Sequence, residues 1–186
     1  MNPLLIELPD EIATAILLLR AAGVEEAADL NAEIQESISE LKPWLPWAQQ
    51  IPTPQETVAY CRRALAEHVL REEITCRLYL RESRAFAGAI WLTRLNGNVP
   101  SYEMGYWTRT SLSARGLMSE AVAALNGLGF ETLGAKRIEI RTDEMNLRSR
   151  KVAERTGYLL EAVLRNCHRF PGDTLRNICV YSKVNS

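Results

Sequence analysis

Residues 110–119 read Thr-Ser-Leu-Ser-Ala-Arg-Gly-Leu-Met-Ser: hydroxyls, one arginine and one glycine stand directly before an apolar helical pattern. Such a stretch has two uses. Ser111 or Ser113 can cap the coming helix by accepting from its orphan N–H groups. Alternatively the amides stay free and hold an anion, because the N–H groups and the positive end of the helix dipole converge there. Capping is the commoner use, so the rest of the chain must decide between them.

Three further places carry side chains fit for chemistry. Asn146 and Ser149 are three residues apart, which puts an amide and a hydroxyl on one helix face. Both are also ordinary capping residues. His168 is a candidate base, since an imidazole ordinarily titrates near ~6.5. Glu103 competes for that role from a strand face shared with Gly105 and Trp107. Either reads equally well as a solvated strand residue. Cys167 precedes His168, but neighbours on a strand point to opposite faces and are poorly placed as nucleophile and base. The cysteines at 61, 76, 167 and 179 form no C-x-x-C pair, which argues against zinc and leaves them as buried, reduced thiols. No metal is expected.

Composition narrows the class. A chain of 186 residues fits one domain, 1–186, and 47% hydrophobic with 24% charged residues supports a real core. A net charge of −1 argues against nucleic-acid binding by bulk charge. No apolar run approaches the ~18 residues of a membrane span. The start MNPLLIELPDE lacks a signal-peptide pattern, so a cytoplasmic location is expected, with no membrane partner.

The elements that must position these residues follow from periodicity. AILLLRAAG (15–23) reads as the first strand. Val24, Ala27, Leu30, Ile34, Ile38 and Leu41 recur at helical spacing. Two prolines in KPWLPW (42–47) then enforce a loop carrying Trp44 and Trp47. Thr53-Pro54-Gln55-Glu56 predicts a capped helix start, with Val58, Cys61, Leu65 and His68 along its apolar stripe. That makes His68 a helix-face histidine. Strands follow at 74–82, which alternates Cys76, Leu78 and Leu80 on one face with Arg77, Tyr79 and Arg81 on the other, and at 85–95 and 101–109, the last two joined by a turn at Asn96-Gly97-Asn98. Leu117, Ala121, Leu125 and Leu128 mark a core-facing helix ending near Gly134. A strand at 136–143, a short helix between Asn146 and Gly157, and a hairpin across Pro171-Gly172-Asp173 complete the chain. The expected order is β-α-α-β-β-β-α-β-α-β-β, a mixed α/β domain.

The series GYW, ARGLMSEAV, RIEIRTD and NLRSRKVAERTGY resembles the GNAT superfamily of N-acetyltransferases. ELKPWLPW and LLEAVLRN further resemble its ribosomal-protein branch, of RimJ/RimL type. The likeness runs from about residue 15 to the end and is strongest from Tyr102 to Arg165.

This resemblance implies the GNAT fold and acetyl-CoA as co-substrate. The family's pyrophosphate loop, Q/R-x-x-G-x-G/A, falls on Ser113 to Met118, which departs from it at both ends. The implied cradle is the amides of Ala114, Arg115, Gly116, Leu117, Met118 and Ser119, with Arg115 adding charge and the Met118 side chain crowding the diphosphate. The strand EMGYWTR is expected to bulge and splay, so that the backbone at Trp107, Thr108 and Arg109 holds pantetheine and polarises the acetyl carbonyl. Trp107 is equally a core residue. Asn146 is implied near the cofactor. Many members carry a thiolate-protonating tyrosine where this chain has Ala153, and the ribosomal-protein branch instead points to Ser149. His168 stands where that branch can carry a glutamate base. Trp44, Trp47 and Tyr79 line either an acceptor pocket or the core. The implied acceptor is a protein N-terminal α-amine, whose pKa near ~7.7–8 eases its deprotonation. The alternatives are a small amine (polyamine, aminoglycoside or amino acid) or a non-catalytic acyl-CoA-binding module. The assembly is a monomer or homodimer.

Overall fold

A computed structural model describes residues 3–95, 97–170 and 173–185. Asn96, Pro171 and Gly172, where two turns are expected, lie outside the described residues. The strands are β1 (Glu11–Ala13), β2 (Leu17–Ala21), β3 (Glu73–Leu80), β4 (Phe86–Leu95), β5 (Ser101–Thr108), β6 (Arg137–Asp143), β7 (Leu159–Phe170) and β8 (Thr174–Val184). The helices are α1 (Ala27–Leu41), α2 (Pro54–Leu70), α3 (Leu117–Gly127) and α4 (Leu147–Arg155). The order matches expectation except for β1. Its three residues are too few for periodicity to reveal; they pair with β2, and Ile12 packs against the core.

One sheet runs β1-β2-β3-β4-β5-β6-β8-β7. Every pair is antiparallel except β5 and β6. Helices cover both faces. α3 and α4 bury Leu117, Ala121, Leu125 and Ala153 against Ile90, Leu92, Met104 and Ile138. On the other face α1 and α2 bury Leu30, Ile34 and Cys61 against Phe86, Ala89 and Trp107. The capping box of α2 forms as expected, with the Thr53 and Glu56 side chains each taking the other's backbone N–H. Its buried stripe is rotated from the one expected: Thr57, Cys61 and Ala64 face the core, and Leu65 is exposed.

Because β3 is central and covered on both sides, its expected alternation fails. Arg77 is buried to 2% exposure. It is satisfied by Glu26 (2.5 Å), the Gly23 carbonyl (2.7 Å) and the Cys61 sulfur (2.9 Å). A charge so enclosed is tolerable only when paired and hydrogen-bonded.

The feature that positions the site is a fork. β5 pairs with β6 only at Ser101↔Arg137, Tyr102↔Ile138 and Glu103↔Glu139. Beyond that, β5 stays with β4 as far as Thr108, and β6 stays with β8 as far as Asp143. The two halves of the sheet therefore diverge. The expected splay is present, but the bulge is not on β5, whose register with β4 is unbroken. The irregularity lies one strand away, where β4 shifts register against Leu78 and Tyr79 of β3. Gly88 sits there at φ +144°, and a Cβ on it would lie 2.2 Å from the Trp107 carbonyl oxygen. Only glycine lets the two strands approach so closely.

Candidate active site

The fork opens into a cleft of about 720 Å³. Glu103 to Thr108 of β5 and Ile140 to Asp143 of β6 form its walls, the loop 112–119 closes one end, and α4 and its N-cap supply Ser149 and Asn146.

The loop is not capped by its serines. Thr110–Leu112 forms a short 3₁₀ turn, and the Ser113 hydroxyl donates to the Arg109 carbonyl instead. Gly116 occupies the cap position of α3 at φ +79°, with no side-chain hydrogen bond to the helix start. Ala114 is also left-handed, at φ +62°. Among the described residues, no protein acceptor takes the N–H groups of residues 114–119. A run of free amides before an uncapped helix start has the donors that an anion requires. Ser119 adds a buried hydroxyl without a partner at the same end of the cleft. Met118 lines the cleft here, while its side chain is only 6% exposed and packs in the core.

Arg109 is not part of the cleft wall. Its guanidinium turns onto α1, pairing with Glu33 at 2.8 Å and Glu36 at 2.5 Å. With the Thr110 N–H donating to Ser37, it fastens the root of the loop to α1. The Trp107 ring likewise belongs to the core, 5.6 Å from Phe86 and 6.3 Å from Trp47, while residues 107 and 108 still contribute to the cleft. Of the three aromatics considered for the acceptor side, Trp44 lines the cleft and Trp47 and Tyr79 do not.

On α4 the Asn146 Oδ1 accepts from the Ser149 N–H at 3.1 Å, so this asparagine is a cap as well as a wall residue. The Ser149 hydroxyl lies 3.0 Å from the hydroxyl of Tyr106, which also donates to the Ser149 carbonyl at 3.2 Å. Sequence reasoning missed Tyr106. On β5 it follows Tyr102 and Met104 along the face toward α3 and α4, where it reads as one more core residue.

Residues 17–159 match the acetyltransferase (GNAT) domain family. The chain belongs to this family. It is 24% identical over 177 residues to the ribosomal-protein-serine acetyltransferase of Escherichia coli (strain K12), covering 87% of this chain and 94% of the relative. Its fold is similar to that of RimL, a ribosomal L7/L12 alpha-N-protein acetyltransferase solved with coenzyme A (21% identity, TM-score 0.86, 94% of this chain and 97% of that one). It is similar as well to the microcin C7 self-immunity acetyltransferase MccE, solved with acetyl-CoA and AMP (18% identity, TM-score 0.87, 96% of this chain and 98% of that one).

Those two neighbours hold coenzyme A and acetyl-CoA, and the cleft residues of this chain suit such a molecule. Free amides and the Ser119 hydroxyl match a diphosphate. Arg115, Lys151 and Arg155 also line the cleft, and among the described residues none of them is ion-paired. Lys151 and Arg155 were not picked out from the sequence. Their i,i+4 spacing on α4 is the signal that could have found them.

The rest of the cleft lining is differently built. Its carboxylates are Glu40, Glu103 and Asp143, and each faces an arginine: Arg148 at 3.3 Å, Arg141 at 3.8 Å and Arg176 at 3.0 Å respectively. Burial pushes the Glu103 carboxyl above the ordinary carboxylate range, Arg141 pulls it back, and Glu139 adds to the rise. His168 lies on the wall with its ring 5.9 Å from Phe170. Among the described residues, no side-chain hydrogen bond or ion pair engages it. Cys167 is exposed rather than buried, and it shares the wall with His168. β7 is irregular there, with Asn166 at φ +51° and a register shift between Leu164 and His168, so simple strand alternation does not hold.

Proposed function

We propose that the chain acetylates the α-amine of a protein N-terminus, in the manner of the ribosomal-protein acetyltransferases it is similar to. The observation that carries this reading is the arginine pairing of every carboxylate on the acceptor wall among the described residues. A polyamine pocket needs open carboxylates to replace the water around several cations. A single neutral amine does not.

In this reading the amides of Ala114 to Ser119 grip the diphosphate, with Arg115, Lys151 and Arg155 balancing phosphate charge. The β5 backbone beyond the fork, left without a β6 partner, gives pantetheine a strand to lie along and polarises the acetyl carbonyl. His168 takes the surplus proton as the amine nitrogen bonds to the acetyl carbon. The C–S bond then breaks with its electron pair going to sulfur, where Ser149 donates a hydrogen bond before the thiolate takes a proton from water, to which His168 releases the one it accepted. Glu103 is the second reading for the base, favoured by the burial that raises its affinity for a proton.

A radiolabelled acetyl-transfer screen tests the reading. Peptides with free α-amines should be acetylated, and the same peptides blocked at the N-terminus should not. Preferential transfer to spermidine or an aminoglycoside would replace the proposed acceptor.

A further inference from the structure

Building on the role proposed for Ser149, we propose that Tyr106 is a positioning residue that sets the direction of the Ser149 hydroxyl proton. The two hydroxyls lie 3.0 Å apart, and the tyrosine also reaches the Ser149 carbonyl at 3.2 Å. Each hydroxyl carries one proton, so the pair has two arrangements. When Tyr106 donates to the carbonyl, the serine proton rests on the tyrosine oxygen. When Tyr106 donates to the serine oxygen, the serine proton is released toward the cleft. Only the second arrangement stabilises negative charge on a sulfur held there.

The surroundings favour this use. Tyr106 lies on the part of β5 that has lost β6, and both it and Ser149 line the cleft. Burial pushes the tyrosine hydroxyl up to about 12, so it remains a donor throughout the working range. A developing thiolate pulls the pair into the releasing arrangement, and the tyrosine gives up one acceptor for another without leaving a donor unmet. No proton leaves Tyr106. The gain is one hydrogen bond aimed at sulfur, made stronger as charge grows.

The test reads the thiol directly and needs no acceptor. Free CoA is bound to the protein, and the pH dependence of its alkylation by iodoacetamide gives the apparent pKa of the bound thiol. Tyr106→Phe removes only the hydroxyl, and Ser149→Ala removes its partner. Each should raise that pKa by about one unit, equivalent to a tenfold loss of thiolate at a given pH. The double variant should raise it no further than Ser149→Ala alone, because the tyrosine acts through the serine. An unchanged pKa in Tyr106→Phe overturns the inference, and so do additive effects in the double variant. Where transfer is measured, Tyr106→Phe should lower kcat and leave the acetyl-CoA KM within about twofold. Transfer to an unexpected amine would refute the acceptor reading and leave the thiol measurement standing.

Discussion

The Arg176 guanidinium lies over the Phe170 ring, 4.2 Å from its centre, in the last hairpin of the sheet. It also lies 5.8 Å from the centre of the Trp44 ring and donates to the Pro43 carbonyl at 2.9 Å and to Asp143 at 3.0 Å. One side chain thus ties the α1–α2 loop, β6 and β7 together around the proposed acceptor end of the cleft. In the β7–β8 register Arg176 stands opposite His168, so the same clasp steadies the strand that carries the proposed base.

Removing this clasp should be felt twice. Arg176→Ala leaves Asp143, only 7% exposed, without its cation, and should lower stability by about 2–4 kcal/mol. Urea unfolding measures this. Adding Asp143→Asn should recover part of the loss, since a neutral amide is cheaper to leave buried. The acceptor KM should rise while acetyl-CoA binding stays as it was. Arg176→Lys should restore little, because an ammonium lacks the flat face that lies over the Phe170 ring while the guanidinium Nη1 reaches both oxygens.

The phosphate end should respond separately. Acetyl-CoA at one hundred times its dissociation constant should stabilise the fold by about 2.7 kcal/mol, read as a thermal shift. Desulfo-CoA should do nearly the same. A Cβ at Gly116 meets nothing within 4 Å of the protein, so valine there clashes with no neighbour. It strains a left-handed residue, costing roughly 1–2 kcal/mol in the free protein, and it obstructs the free amides. Gly116→Val should therefore lose most of the ligand-dependent shift. Arg115→Ala and Lys151→Ala should weaken binding modestly and flatten its salt dependence. An undiminished shift in Gly116→Val would remove the loop from the binding site.

The shape of the loop was legible, because one glycine among small polar residues signals a left-handed turn before a helix. What the sequence withheld depends on long-range packing. Arg109 directly precedes the loop, yet Glu33 and Glu36 of α1 draw its guanidinium away from the cleft. Tyr106 reads as core until the fork is known, because its hydroxyl meets Ser149 only through a helix 43 residues later in the chain. The register shift moved from β5 to β4 because Gly88, not a residue of the expected strand, carries the unusual φ. Helices on both faces bury β3 continuously from Ile74 to Leu78, so its alternation gave the wrong exposure for Arg77.

That buried arginine yields a stability prediction unconnected with catalysis. Arg77→Ala strips Glu26, the Gly23 carbonyl and Cys61 of one shared donor and leaves a cavity between α2 and β3. A loss of about 3–5 kcal/mol is expected. Glu26→Gln should cost less, because it keeps an oxygen for the guanidinium to donate to. Equal losses in the two variants would show that the ion pair, rather than the filled space and the other two contacts, governs the site.

The last prediction separates the two candidate bases through pH. With His168 as base, His168→Ala should abolish the ascending limb of kcat/KM, and Glu103→Gln should leave it in place. The reverse pattern assigns the base to Glu103. Survival of the limb in both variants means that ionisation of the acceptor amine, near ~7.7–8, controls it. A stability measurement checks Glu103 independently. Its carboxyl is raised above the ordinary range, first by burial. The fold therefore binds that proton more tightly than the unfolded chain does. This contribution is fully present below the unfolded carboxyl's pKa and is lost as pH rises through the raised value. Glu103→Gln cannot ionise, so it should gain on the unaltered protein in melting temperature as pH climbs through that interval. Parallel melting curves at every pH would show that Glu103 titrates as an ordinary surface carboxylate, and would leave His168 as the better base.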